Sequence, residues 1–264
     1  MKSPMKNADS SDSKYGVWKE SQAHWDDREF LASMTPLMRW RYERLDAMVY
    51  EKLKTVLSKG DSLLLDVGCG RNEFYEYLRR GPRPSWRYLG VEPSGVQIRN
   101  RLVAQPGLGV VLATGENLPL PDMSVDAVLL KEVADHAYDP HRLIKEAYRV
   151  LRPGGGFVLS VTNDRAYYKL LFSGVNRRKK EGQKDHLTFF GPSDVRNLLE
   201  SMPFDRVSIE TYNYFKAPIF LERILGALGP GASKKMMALF DRLGRTALPG
   251  LGGGILASAR RRGC

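Results

Sequence analysis

Cysteine is scarce in this sequence of 264 residues, which contains only Cys69 and Cys264. Two cysteines cannot build a disulfide framework or a cysteine zinc site, and we expect no bound metal. Apolar runs are short: none reaches the roughly 18 residues of a membrane-spanning helix, and the first 16 residues lack the apolar core of a signal peptide. These absences favour a reduced, cytoplasmic protein.

Positive charge, in contrast, is abundant. The formal net charge is +11, from 41 basic and 30 acidic residues, and the last 101 residues hold 18 basic and 9 acidic residues. Most of the excess therefore lies in the C-terminal part. Such asymmetry is typical of contact with an anionic partner, such as a phosphorylated substrate, a membrane surface or nucleic acid, although it also serves solubility.

The hydrophobic pattern divides the chain into four segments. Residues 1–14 are polar, without an apolar period, and are predicted to be a disordered tail. Residues 15–61 have apolar positions at three- and four-residue steps, which indicates a helical cap. Residues 62–163 alternate strands with helices, as a doubly wound, mostly parallel α/β sheet does. Residues 164–264 are predicted to add a long lid insertion, the last strands and amphipathic helices to the same domain.

Individual elements can be placed within these segments. The pattern predicts strands at 62–68, 86–92, 109–113, 125–130 and 156–161, helices at 72–80, 94–104 and 140–151, and later a helix near 193–201 and strands near 205–213 and 252–262. Asp139 is the predicted N-cap of the helix that begins at Pro140. The RPGGG segment at 152–156 is predicted to be the turn into the fifth strand.

The first strand ends in a glycine turn, in the segment LLLDVGCGRNEFYEYL at 63–78. The absence of side chains at Gly68 and Gly70 lets the backbone approach a ligand at the carboxyl edge of the sheet. A dinucleotide fingerprint needs another glycine at position 73, where this chain has Glu73, an acid poorly placed beside a pyrophosphate. The turn therefore disfavours binding of an NAD pyrophosphate.

The second strand ends in Glu92, 26 residues after Asp66, within YLGVEPSG. A carboxylate in this position can accept hydrogen bonds from both hydroxyls of a ribose. An acidic N-cap of the following helix is the alternative role.

Together with ATGENLPLPDMSVDAVLL and HAYDPHRLIKEAYRVLRPGGGF, these segments resemble the class I S-adenosylmethionine-dependent methyltransferases, especially the group acting on small molecules, lipids and sugars. The resemblance covers about residues 35–202. It implies a Rossmann-like fold with a seven-stranded sheet, S-adenosyl-L-methionine as cofactor and S-adenosyl-L-homocysteine as product.

The resemblance also implies a set of cofactor-binding residues. Those expected to hold the methionine portion, the ribose, the adenine and the methionine side of the reaction cavity are, in chain order, Asp66, Gly68, Cys69, Gly70, Glu92, Pro93, Thr114, Gly115, Glu116, Lys131 and Glu132. Two positions depart from the family. Asn72 stands where the family often has glycine, and Thr114 stands where it often has an acid that contacts adenine.

Acid–base residues on the acceptor side are few. Asp135 and His136 follow the fourth strand at the carboxyl edge, and His186 ends the insertion that in similar proteins tends to cover the acceptor. We expect these three residues to be catalytic, with a histidine as general base where the acceptor must lose a proton. Hydrogen-bonded structural histidines are the alternative.

The acceptor itself is only partly constrained. The chain lacks the Asn-Pro-Pro-Tyr element of amino methylation on bases, and neither cysteine is placed as a base-attacking nucleophile, which argues against nucleic acid. A small, hydrophobic or lipid-linked acceptor methylated on oxygen or nitrogen is the first hypothesis. An RNA or protein methyltransferase that uses the basic C-terminal part, and a non-catalytic cofactor-binding regulator, are the alternatives.

Residues 215–247 are predicted to form two amphipathic helices around Gly229 and Pro230. In the second helix, one apolar face is predicted to oppose a polar face; the apolar residues are Met236, Leu239, Phe240, Leu243 and Ala247, and the polar ones are Lys234, Lys235, Asp241, Arg242 and Arg245. This pattern fits peripheral contact with an anionic membrane, and equally a cap over the substrate pocket.

Overall fold

One sheet of seven strands organises the protein in a computed structural model, which describes residues 18, 35–57, 61–82, 84–104, 108–171, 186–214 and 230–263. The strands are β1 (Leu63–Val67), β2 (Arg87–Glu92), β3 (Gly109–Leu112), β4 (Val125–Lys131), β5 (Leu151–Thr162), β6 (Phe204–Tyr212) and β7 (Gly254–Arg261). The helices are α1 (Pro36–Lys54), α2 (Glu73–Arg80), α3 (Gly95–Ala104), α4 (Pro140–Val150), α5 (Tyr167–Leu171), α6 (Pro192–Glu200) and α7 (Pro230–Ala247).

The strand order is β3-β2-β1-β4-β5-β7-β6, and only β7 runs antiparallel to its neighbours. The chain winds from β1 outward to β3 and then returns to place β4 beside β1. This reversal creates a crevice at the carboxyl ends of β1 and β4, where ligands bind in open α/β sheets. The predicted doubly wound, mostly parallel seven-stranded fold is confirmed.

Both faces of the sheet are covered because successive strand residues point to opposite sides. Leu64 packs in a buried cluster with α1 and α2, and the adjacent Leu65 packs in a second cluster with α4 and α6. Burial on both faces of the sheet therefore explains the continuous apolar run of β1.

Most predicted elements agree with the structure to within two residues, and Asp139 caps α4 by accepting from the Arg142 amide. The 152–156 segment differs from its prediction as a separate turn. Val125 pairs with Leu151 and Ala127 pairs with Gly156, so residues 152–155 bulge out of β5 opposite Asp126. Gly154, at φ 75°, supplies the left-handed backbone of this bulge, while Arg152 pairs with Asp126 at 2.7 Å.

Helix α7 also differs from its prediction. Asp241, which was grouped with the solvent-facing charges, is buried, pairs with Arg44 of α1 and accepts a hydrogen bond from the Tyr214 amide at 2.6 Å. This polar anchor turns Ser233, Met237 and Asp241 inward, which leaves the apolar strip exposed. That strip consists of Leu239, Phe240 and Leu243, of which 55%, 45% and 56% is exposed.

Some predictions concern residues outside the described part of the chain. These are the disordered tail at 1–14, most of the cap before residue 35, and the first amphipathic helix at 215–229.

Candidate cofactor and acceptor site

The glycine turn after β1 is shaped by two left-handed residues, Gly68 at φ 70° and Gly70 at φ 51°. The Gly68 amide donates to the Val91 carbonyl at 2.7 Å, which ties the turn to β2. A Cβ on Gly68 would lie 2.5 Å from Val133 Cγ2, whereas a Cβ on Gly70 would lie 4.0 Å from its nearest neighbour, the Gly68 carbonyl oxygen. Gly68 is therefore required for packing against the loop after β4, and Gly70 leaves space for a ligand.

Glu92 lies directly opposite this turn. Its Oε2 accepts from the Gly70 amide at 2.9 Å, and its Oε1 accepts from the Ser94 amide at 3.0 Å. A carboxylate oxygen can accept more than one hydrogen bond. The predicted ribose acceptor is thus held in place by the same turn that would cradle the cofactor, and Pro93 follows it directly in the chain.

Asn72 follows the turn and begins α2. It adopts φ 54°, so asparagine takes the left-handed conformation at this family glycine position. Its side chain is buried, with 1% of the residue exposed, and neither its amide nitrogen nor its oxygen has a hydrogen-bond partner among the described residues. A buried, unsatisfied amide beside an open turn fits a polar ligand that completes its hydrogen bonds.

Asp66 ends β1 beneath the turn. Its carboxylate accepts a hydrogen bond from the Tyr88 hydroxyl at 2.6 Å. Burial raises the pKa of Asp66 to about 7, because desolvation outweighs the Tyr88 hydrogen bond and the positive charge of Lys131. The carboxyl group is poised near neutral pH at the place predicted for the methionine portion.

The loop after β3 contains the three residues predicted to border adenine. A Cβ on Gly115 would lie 2.3 Å from Leu143 Cδ1, so the loop packs tightly on α4. Glu116 accepts from the Tyr138 amide at 2.9 Å, and the Thr114 carbonyl accepts from the Asn117 amide at 3.2 Å. This loop is therefore fixed to the β4–α4 connection on the same edge of the sheet.

Cys69 and Lys131 use their side chains for packing and pairing inside the protein. The Cys69 sulfur faces β2, where a Cβ on Gly90 would stand 2.7 Å from it. Lys131 Nζ pairs with the Asp46 carboxylate of α1 at 2.6 Å, and both side chains are largely buried. Cys69 therefore contributes only its backbone to the ligand-facing side of the turn. The Lys131–Asp46 ion pair joins α1 to the end of β4.

Glu132 takes a left-handed backbone, at φ 57°, directly after β4. Its amide donates to the Ser160 carbonyl at 2.9 Å, and its carboxylate accepts from the Tyr212 hydroxyl at 3.1 Å. Burial, together with the negative charge of Asp135, raises the pKa of Glu132 to about 7.

Asp135, His136 and His186 meet at the acceptor side of this edge. His186 Nδ1 lies 3.2 Å from Asp135 Oδ2, His136 Nε2 lies 3.9 Å from Asp135 Oδ1, and the two imidazole centroids are 4.6 Å apart. Burial alone would raise the pKa of Asp135, but the His186 hydrogen bond and the charge of both histidines hold it below its ordinary value. The structure thus brings together all three residues predicted to be catalytic, although 50 residues separate His136 from His186.

Sequence reasoning missed several polar partners of these residues. Asp46 holds Lys131, Tyr88 holds Asp66, and Tyr212 holds Glu132. Asp46 carried a signal, since it lies beside Leu45 on the buried face of α1, where an acid needs a partner. Tyr88 and Tyr212 carried none, because their strand positions also suit ordinary packing.

Comparison with known proteins agrees with this geometry. Residues 65–159 match the family model described as a methyltransferase domain. These residues form a methyltransferase domain. The match contains the glycine turn, Glu92, the loop after β3, and both Glu132 and Asp135.

Among curated relatives, the methyltransferase domain is similar to two mycobacterial proteins. An uncharacterized methyltransferase of Mycobacterium sp. (strain JLS) is 43% identical over 109 residues, which are 41% of this chain and 42% of the relative. The phthiotriol/phenolphthiotriol dimycocerosates methyltransferase of Mycobacterium tuberculosis (strain ATCC 25618 / H37Rv) is 38% identical over 112 residues, 41% of either chain. The chain thus spans about two-fifths of the length of the curated relatives it matches.

Solved structures show the same fold across nearly the whole chain. A methyltransferase of Thermotoga maritima, described as a possible histamine N-methyltransferase, covers 93% of this chain and 100% of its own, with a TM-score of 0.58 and 19% identity. The geranyl diphosphate C-methyltransferase of Streptomyces coelicolor A3(2) covers 93% and 98%, with a TM-score of 0.60 and 17% identity. At these identities the likeness concerns the fold.

Proposed function

We propose that this protein uses S-adenosyl-L-methionine to methylate an oxygen or nitrogen of a small, hydrophobic or lipid-linked acceptor. The observation that carries the proposal is the hydrogen bond from the Gly70 amide to the Glu92 carboxylate beside an open turn. Both residues lie within the segment that matches the methyltransferase family model. S-adenosylmethionine supplies an electrophilic methyl group when it is bound.

The backbone of the glycine turn and the side chain of Glu92 would together hold the cofactor. Glu92 would accept the ribose hydroxyls, and the loop at Thr114, Gly115 and Glu116 would border the adenine. Asp66 and the Asn72 amide lie at the methionine end. Rigid positioning of this kind can supply about 7–11 kcal/mol of a transfer barrier by orientation alone.

The acceptor-side residues would position the reacting group of the acceptor. Asp135, His136 and His186 form a polar cluster. Asp135 stands two residues after Val133, the side chain that packs on Gly68. A hydroxyl or ammonium acceptor loses a proton during methylation, and this cluster is the proposed means of promoting that loss. The similarity to a phthiotriol dimycocerosates methyltransferase supports a hydrophobic acceptor.

Transfer of radiolabelled methyl groups tests the proposed acceptor class. The purified protein is incubated with methyl-labelled S-adenosylmethionine and separated lipid, RNA and protein fractions of the source cells. We expect label in the lipid fraction, and loss of that label in the Glu92→Ala variant. Label confined to the RNA or protein fraction would overturn the acceptor assignment while leaving the activity standing.

Helix α7 supports a peripheral contact with an anionic membrane as part of this function. Its exposed strip, Leu239, Phe240 and Leu243, lies among exposed basic residues of the same helix, namely Lys234, Lys235, Arg242 and Arg245. Apolar insertion flanked by lysine and arginine matches the chemistry of an anionic bilayer surface. Among the described residues, no helix has the length and apolar character needed to cross a membrane.

Vesicle sedimentation tests this contact. We expect binding to vesicles of phosphatidylcholine with phosphatidylglycerol, weaker binding to phosphatidylcholine alone, and loss of binding in a Leu239→Ser, Leu243→Ser variant. The control is Leu112→Ser, an exposed leucine of β3 outside the helix. Equal binding by all three proteins would contradict the proposal.

A further inference from the structure

The cluster of Asp135, His136 and His186 offers three potential metal ligands, which are more groups than the removal of a proton requires. One carboxylate and two imidazoles each offer one donor atom, and the three donor atoms lie within 4.8 Å of one another. His136 lies near Oδ1 of the Asp135 carboxylate, and His186 lies near Oδ2. All three side chains thus converge on one small volume.

We propose that Asp135, His136 and His186 bind one divalent transition-metal ion beside the cofactor site. Two histidine nitrogens and one carboxylate oxygen form a donor set that suits zinc, iron or manganese, and that suits magnesium poorly because magnesium prefers oxygen ligands. A tetrahedral ion with bonds near 2.0–2.1 Å places its ligands about 3.3 Å apart. The three donor atoms lie within 4.8 Å of one another, so the widest pair would approach by up to about 1.5 Å on binding one ion.

A second observation points to a ligand at the same place. Asp135 is 1% exposed, and its Oδ1 is a buried oxygen without a hydrogen-bond partner among the described residues. This is the oxygen that His136 Nε2 faces at 3.9 Å, a distance too long for a hydrogen bond. A buried carboxylate oxygen without a donor is costly, and a cation between it and the imidazoles would remove that cost.

Two segments carry the three ligands and are fixed to each other by backbone hydrogen bonds: Asp135 and His136 lie in the loop after β4, and His186 lies before α6. The Asp135 carbonyl accepts from the Leu187 amide at 2.8 Å and from the Thr188 amide at 3.1 Å. These bonds join the loop after β4 to the residues that follow His186. Positioning by two backbone bonds keeps the ligand set assembled, as a preorganised metal site requires.

The ion would act on the acceptor, and this part of the inference rests on the proposed function. With three protein ligands, a four-coordinate ion keeps one open position for an oxygen of the acceptor. Coordination makes a bound hydroxyl more acidic, as it does a bound water. The hydroxyl proton then passes to solvent, and the oxygen lone pair forms the new bond to the methyl carbon as the carbon–sulfur bond of the cofactor breaks.

The expectation of no metal came from counting cysteines, and it is replaced by this proposal. The ligands are not clustered in the sequence, because His186 stands 50 positions after His136. Only the fold brings the end of β4 and the segment before α6 together.

Metal binding can be measured on the full chain without any acceptor. The protein is stripped with a chelator and titrated with Co²⁺ and Zn²⁺ by absorption spectroscopy and calorimetry, and with Mg²⁺ for comparison. We expect one Co²⁺ per chain with the visible bands of a four-coordinate site, displaced by Zn²⁺ and not by Mg²⁺. No stoichiometric uptake of either transition ion would overturn the proposal.

Three variants assign the ligands. Asp135→Asn, His136→Ala and His186→Ala should each weaken Zn²⁺ binding by more than the roughly 10–100-fold that loss of an outer-shell partner costs. His141→Ala, an exposed histidine at the start of α4, is the control and should bind normally. Equal loss in the control, or unchanged affinity in all three variants, would show adventitious binding elsewhere. If a variant fails to fold, the wild-type cobalt spectrum still decides between histidine ligation and no site.

A separate measurement distinguishes this inference from the proposed function. S-adenosylmethionine binding is compared in the stripped and zinc-loaded proteins. Cofactor binding without metal uptake refutes the metal site alone, and metal uptake without cofactor binding refutes the methyltransferase function alone.

Discussion

The Glu92 carboxylate accepts a hydrogen bond from the Gly70 amide at 2.9 Å, and this bond joins the end of β2 to the turn that follows β1. One acidic residue therefore orders the glycine turn beside the space that Gly70 leaves open. Cofactor recognition and turn geometry are coupled through these two residues.

Removal of the Glu92 carboxylate should weaken cofactor binding. Loss of one charge-assisted bond in Glu92→Ala is expected to cost about 1.5–3 kcal/mol, which is about 10- to 150-fold in affinity. Calorimetric titration with S-adenosylhomocysteine measures the change. The control is Glu200→Ala, an exposed acid at the end of α6. Unchanged affinity in Glu92→Ala would reject the ribose role.

A methyl group at Gly68 should damage both packing and binding. Gly68→Ala forces an L side chain into a left-handed backbone, at about 1–2 kcal/mol, and drives its Cβ against Val133, which adds about 1–3 kcal/mol. Gly154→Ala is the matched control, because Gly154 has φ 75° and open space around it. Urea unfolding should show a clearly smaller loss in the control. Equal losses would mean that the Val133 contact contributes nothing.

The buried Asp66 should make stability depend on pH. Its pKa is about 7 in the folded protein, through burial among Tyr88, Lys131, Asp46 and Glu92, and about 3.9 when unfolded. Between these values the folded state binds the additional proton, so the free energy of unfolding should fall by up to about 1.4 kcal/mol per pH unit as the pH rises from 4 to 7.

Asp66→Asn should remove that fall, since asparagine keeps an acceptor for the Tyr88 hydroxyl and has no proton to lose. Denaturant unfolding at a series of pH values compares this variant with the wild type. Asp61→Asn, at an exposed position, serves as the control. Parallel pH profiles for wild type and Asp66→Asn would contradict the raised pKa.

Breaking the anchor of α7 should release that helix. Asp241 is buried against Arg44, and removal of one member of a buried ion pair costs about 3–5 kcal/mol. In Asp241→Ala, we expect faster hydrogen exchange across residues 230–247, with exchange in β1 and β4 unchanged. Arg242→Ala on the exposed side of the same helix is the control. Unchanged exchange in Asp241→Ala would mean that other contacts hold α7.

The fold could be predicted from local patterns because the strands are short apolar runs and the helices carry clear caps, as Asp139 and Pro140 show. The glycine turn and Glu92 were also predictable, since each stands at the end of a strand and parallel strands share one edge. The orientation of α7 was not predictable. Its direction depends on Arg44 and the Tyr214 amide, which are distant in sequence.

The acceptor side shows the same limit. His136 and His186 were each plausible from their positions, but their joint contact with Asp135 follows from the pairing of two loops through the Asp135 carbonyl. Long-range contacts of this kind leave no local pattern in a single sequence.

Calorimetric titration of the purified chain with S-adenosylmethionine and S-adenosylhomocysteine tests the central claim most directly. The account predicts binding of both at one site per chain, weakened in Glu92→Ala and retained in Glu200→Ala. Failure of the folded protein to bind either compound would contradict the proposed methyltransferase function.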